Sequence, residues 1–104
     1  MSRWFVSRHP GAVEWIREMD VEIDHWVAHL DPSELSPGDI VIGTLPLPQV
    51  AGLQGRGVTY WHLTLDLPAD MRGRELSVDD MRRCGVQLQC YQVALVDTWL
   101  APEK

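Results

Sequence analysis

Apolar and polar positions follow two rhythms along this chain, and the switches between them mark its elements. Arg3 to Arg8 (RWFVSR) is a short aromatic and β-branched run, which predicts a buried strand. Pro10 follows; its fixed φ suits the first turn of a helix and biases His9 toward extended backbone. From Gly11 to Met19 the period becomes helical, with Ala12, Trp15, Ile16 and Met19 on one face and Glu14, Arg17 and Glu18 outside. Val21 to Leu30 alternates again and predicts a second strand.

Asp31 to Glu34 has the form of a single helical turn, with Asp31 as cap and Pro32 first; Pro37 and Gly38 break it. Asp39 to Thr44 (DIVIGT) reads as a central strand. After Pro46 and Pro48 a second helix is predicted over Gln49 to Gln54, closed by Gly55 and Gly57. Val58 to Leu65 gives the next strand and Asp66 to Arg74 a polar loop. Ser77 opens a third helix, with Asp80 in the capping-box position and Gly85 ending it. Val86 to Val96 alternates loosely, so a last strand competes with a helix continued from Ser77. This grammar predicts an α/β fold, a mostly parallel sheet of about five strands with about three helices. Its weakest joint is Asp31 to Gly38, short for a parallel crossover.

The chain has 104 residues, enough for one domain with one modest core. Fifteen acidic residues against nine basic ones leave a net charge of −6, which disfavours a grip on long DNA or RNA. No apolar run is long enough to cross a membrane, and MSRWFVSRHPG lacks the form of a signal peptide, so the expected location is the cytoplasm. Two cysteines, Cys84 and Cys90, are too few for a disulfide scaffold or a four-cysteine zinc site. His25 and His29 have helical ligand spacing but no glutamate partner pattern, so no metal or other cofactor is expected. GxGxxG, GxxxxGK[ST] and GxSxG are all absent.

Ligands of open α/β sheets sit beyond the carboxyl ends of the strands. Here those ends carry Ser7, Arg8 and His9; His29 and Asp31; Thr44; and Asp66, leading to Arg72 and Arg74. If the strands are parallel, guanidiniums, hydroxyls and an imidazole converge with helix N-termini on one edge, a combination suited to phosphate. A locally basic edge on an acidic protein fits a small phosphorylated ligand. Each residue also has a structural alternative: an ion pair for Arg8, a helix cap for His9, a backbone-bonded hydroxyl for Thr44, turn formation for Asp31 and Asp66, and solvated charge for Arg72 and Arg74.

The strings WFVSRHPGAVEW (residues 4–15), HLDP (29–32), GDIVIGTLP (38–46), LDLPA (65–69) and RGREL (72–76) resemble a small CRISPR-associated accessory family of type III systems. That resemblance implies a Rossmann-like fold related to the CRISPR-associated (CARF) domains that sense cyclic oligoadenylates. It also implies a ring nuclease that cuts cyclic tetra-adenylate and switches antiviral signalling off. The adenosine 2′-hydroxyl would attack the adjacent phosphate, giving linear products with a 2′,3′-cyclic phosphate. On the matching positions, Arg8 would stabilise phosphate charge and His9 would move protons, while Ser7, Thr44, Asp66, Arg72 and Arg74 would hold substrate. A homodimer with the ring across its two-fold axis is expected, with Trp61 and Trp99 as candidates for the interface or for adenine stacking. The alternatives are a non-catalytic binder of the same messenger and an adaptor for CRISPR effector subunits.

Overall fold

The computed structural model describes residues 1–66, 68–73 and 75–100. Among these residues five strands form one sheet: β1 (Arg3–Val6), β2 (His25–Val27), β3 (Ile40–Gly43), β4 (Thr59–Thr64) and β5 (Gln87–Cys90). Their order is β2-β1-β3-β4-β5; the first four run parallel and β5 is antiparallel to β4. Among the described residues three α-helices accompany them, α1 (Pro10–Glu18), α2 (Leu47–Gly55) and α3 (Val78–Arg83). The fold is therefore α/β and Rossmann-like, as the alternation of periods predicts.

The pleat divides the core in two. Trp4, Val6, Val41 and Tyr60 face α2 and pack with its Val50 and Leu53. Phe5, Ile42 and Leu63 face the other way, onto Ala12, Trp15 and Ile16 of α1 and Met81 of α3. Each large side chain buried here contributes about 2–3 kcal/mol. The register aligns Trp4 with Val41 and Val41 with Tyr60, so one layer of side chains runs across three strands. Gly11 lets α1 dock: a Cβ there would lie 2.2 Å from the Leu76 carbonyl oxygen. At the amino edge of the sheet, the buried Asp39 carboxylate accepts from the backbone N–H of Ser2 (3.0 Å) and Ser36 (3.0 Å) and from the Trp4 indole (3.3 Å).

Two elements differ from the sequence pattern. The second strand spans three residues rather than Val21 to Leu30. Val21 and Ile23 still pack against the α1 face, but from a loop, because the Asp24 carboxylate takes the Arg3 N–H (2.7 Å) that opens this side of β1. Ending β2 at Val27 also removes the topological difficulty: residues 28–39 cross over β1 to reach β3, and Leu35, rather than a helix, buries itself on the sheet. The last strand is likewise short. Gly85, at φ +63°, ends α3 and turns the chain back, which excludes a continued helix. Ser77 and Asp80 form the capping box predicted for α3.

Candidate functional site

Strands β1 and β3 are neighbours whose following helices lie on opposite faces of the sheet. Their carboxyl ends therefore open a crevice, the position where such sheets bind ligands. Gly43 keeps these ends close, since a Cβ there would lie 2.8 Å from the Val6 carbonyl oxygen.

Ser7, Arg8 and His9 cross this point. The Ser7 N–H still pairs with the Val27 carbonyl (3.0 Å), which fixes the segment to the sheet. The Ser7 hydroxyl accepts from the His9 N–H (3.1 Å), a local turn that leaves its own proton available to a ligand. His9 holds the N-cap position of α1, yet its imidazole caps nothing and is exposed. Arg8 is also exposed and makes no ion pair among the described residues.

A cleft lies on each side of this segment. The larger, ≈ 680 Å³, is bounded by Ser7, Arg8, His9 and Thr44 and closed by Glu75 and Leu76. The smaller, ≈ 330 Å³, shares Ser7 to His9 and Thr44 and adds His29 and Gln49. The N-terminus of α1 borders the first and that of α2 the second, and neither helix has an acidic residue in its first turn. Neither first turn therefore neutralises its own helix's partial positive charge, although the Glu75 carboxylate stands beside the start of α1. α3, by contrast, opens with Asp79 and Asp80, which neutralise its own end.

Thr44 is positioned by a residue the sequence pattern does not single out. Tyr60 is buried beneath it. Its hydroxyl donates to the Gly43 carbonyl (2.9 Å), accepts from the Leu45 N–H (2.8 Å) and meets His62 Nδ1 at 2.7 Å. The Gly43 oxygen can only accept, so the arrangement satisfying all three has Nδ1–H of His62 donating to the phenol oxygen. Burial pushes the Tyr60 phenol above its ordinary value, opposed by the Leu45 N–H, so it stays a neutral donor. Tyr60 thus clamps both neighbours of Thr44.

Of the residues nominated from the sequence, Ser7, Arg8, His9 and Thr44 come together. Asp66 is exposed after β4, its N–H bonded to the Cys84 carbonyl (2.9 Å), and it lines neither cleft. Arg72 is exposed in a turn and also stands off the lining, although Gly73 beside it contributes. Arg74 lies outside the described residues. Glu75, in the RGREL string, is a residue that the sequence pattern does not single out, and it brings a carboxylate capable of proton transfer into the larger cleft. His29 lies at the smaller cleft, whereas His25 stacks on Trp4 (centroids 4.0 Å apart), so the two do not form a ligand pair. Among the described residues no group of three His, Cys, Asp or Glu side chains could hold a metal. No helix among them is long and apolar enough to cross a membrane.

Residues 4–94 match the family model described as "Putative CRISPR-associated protein (Cas_VVA1548)". No curated protein and no solved structure matches the chain. The match begins at Trp4 in β1, runs through every element of the sheet and both clefts, and covers most of the chain; the protein belongs to this CRISPR-associated family.

Proposed function

We propose that the protein is a ring nuclease of type III CRISPR systems, a CARF-related domain that cleaves a cyclic oligoadenylate, cyclic tetra-adenylate in the first instance, and so ends antiviral signalling. The observation that carries this reading is the pair of clefts around Ser7–His9: a guanidinium and an imidazole with no partner among the described residues, two hydroxyls and two helix N-termini without an acidic residue in their first turns border one crevice. Such a set suits a phosphodiester bonded to ribose.

In the proposed reaction the ribose 2′-oxygen forms a bond to the adjacent phosphorus and the P–O5′ bond breaks. A base takes the 2′-hydroxyl proton and the departing 5′-oxygen receives one. Arg8 stabilises charge on the phosphate, His9 exchanges protons, and Ser7 and Thr44 orient the reacting groups. Glu75, which also lines the larger cleft, is the second group able to carry a proton. The larger cleft has the scale of a site for one small molecule rather than a whole ring of four nucleotides. A homodimer with the ring on its two-fold axis would supply the remainder.

The test is incubation of purified protein with cyclic tetra-adenylate in EDTA, followed by chromatography. Linear products bearing a 2′,3′-cyclic phosphate are expected. An intact ring that binds tightly would reduce the function to sequestration or sensing. An intact ring that does not bind would remove both readings and favour the adaptor role.

A further inference from the structure

After β5 the chain runs without regular structure from Tyr91 to Leu100. Gln54 on α2 anchors its start: the side-chain amide donates to the Tyr91 carbonyl and its oxygen accepts from the Val93 N–H. Beyond this anchor the segment is apolar yet open to solvent, with Leu95 76%, Val96 94%, Trp99 89% and Leu100 78% exposed. Beside it lies an apolar groove of ≈ 500 Å³, lined by Leu47, Pro48, Ala51 and Gly52 of α2 and by Val93 to Leu95. Leu47 on its rim is 68% exposed. The segment's own Val96 to Leu100 do not line this groove.

We infer that residues Val96 to Leu100 form an arm that two copies of this chain exchange, each arm packing into the α2 groove of the other about a two-fold axis. Three observations select a second copy as the occupant. First, a convex apolar arm and a concave apolar groove occur side by side on one chain, so a single rotation satisfies both at once. Second, a copy carries the same net charge of −6 and is repelled wherever charges meet. Among the described residues the groove has no charged residue, and the arm from Val96 to Leu100 carries only Asp97. Third, the areas suffice. Trp99 buries about 200 Å² when covered, and Val96 and Leu100 about 100 Å² each. Two arms and the two surfaces they cover then remove about 1,600 Å² from water, within the range of stable dimers.

The exchange gives a surface to the two-fold assembly in the proposed function and rests on that reading only for its link to the crevice. Leu45, Pro46 and Gln49 line the smaller cleft, and Leu47 and Pro48 line the groove, so the partner's arm seats against the same end of α2.

Sedimentation equilibrium on the full chain tests it. The unaltered protein should be a dimer at micromolar concentration. Trp99→Glu on the arm and Ala51→Glu in the groove should each weaken dimerisation by about 100-fold or more, with an unchanged circular dichroism spectrum. Mixing the two variants should restore dimers, because the pair retains one intact arm and its groove. A monomeric unaltered protein, a dimer indifferent to Trp99→Glu, or no recovery on mixing would overturn the exchange. A monomer that still cleaves the ring would overturn the exchange alone, and a dimer that leaves the ring intact would overturn the nuclease alone.

Discussion

Replacing Tyr60 by Phe removes one oxygen and leaves the ring, so no cavity opens in the core. The cost falls on the three groups that met the hydroxyl: the Gly43 carbonyl at 2.9 Å, the Leu45 N–H at 2.8 Å and His62 Nδ1 at 2.7 Å. Leu45 is half-buried beside the exposed Thr44, so water can replace the phenol at its amide; Gly43 is buried and its carbonyl loses this partner to a dry environment. A lost bond that water replaces costs about 1 kcal/mol and a stranded buried acceptor about 1–3, giving about 2–4 kcal/mol for the variant. At typical slopes for a small domain, the urea midpoint should fall by roughly 1–2 M with the slope unchanged. The same loss should appear locally as faster amide hydrogen exchange at Leu45, by about 30-fold. A midpoint moved by less than about 0.3 M, with Leu45 exchange unaltered, would refute the view that Tyr60 clamps the Thr44 loop.

Three further outcomes are expected. Arg8→Ala should lower kcat/KM for cyclic tetra-adenylate by about 100-fold or more while the urea midpoint stays unchanged, because the guanidinium is exposed and makes no ion pair among the described residues; normal turnover would remove Arg8 from the site. Asp39 is held below its ordinary value of 3.8 by the N–H groups of Ser36 and Ser2, against desolvation. The unfolded chain therefore takes up this proton first on acidification. The stabilisation is complete above about pH 5 and is lost as pH falls past 3.8 toward the depressed folded value, so urea midpoints should drop less steeply on acidification in Asp39→Asn than in the unaltered protein. Gly11→Ala should destabilise by about 3 kcal/mol, read from the urea midpoint, since its Cβ would stand 2.2 Å from the Leu76 carbonyl oxygen and α1 would have to lift off the 75–77 segment; a neutral result would mean that α1 docks differently.

Much of this architecture is legible without coordinates because its causes are local. Trp4, Phe5 and Val6, Val41 and Ile42, and the helical spacing of Ala12, Trp15 and Ile16 each declare an element by period, and Pro10 and Ser77 mark where helices begin. Once a parallel sheet follows from that alternation, the residues just past β1 and β3 must meet, so Ser7, Arg8, His9 and Thr44 could be named from the sequence. Other properties depend on partners distant along the chain, and periodicity carries no record of them. The Asp24 carboxylate caps β1 and shortens β2; Gly85 sends β5 back antiparallel; Tyr60 reaches Gly43 and Leu45 with its hydroxyl; the packing of residues 75–77 on α1 puts Glu75, rather than Arg72 or Asp66, on the wall of the larger cleft. A hydrophobic pattern specifies which face of an element is buried. Which polar group then stands within reach of another is decided only when those faces are pressed together.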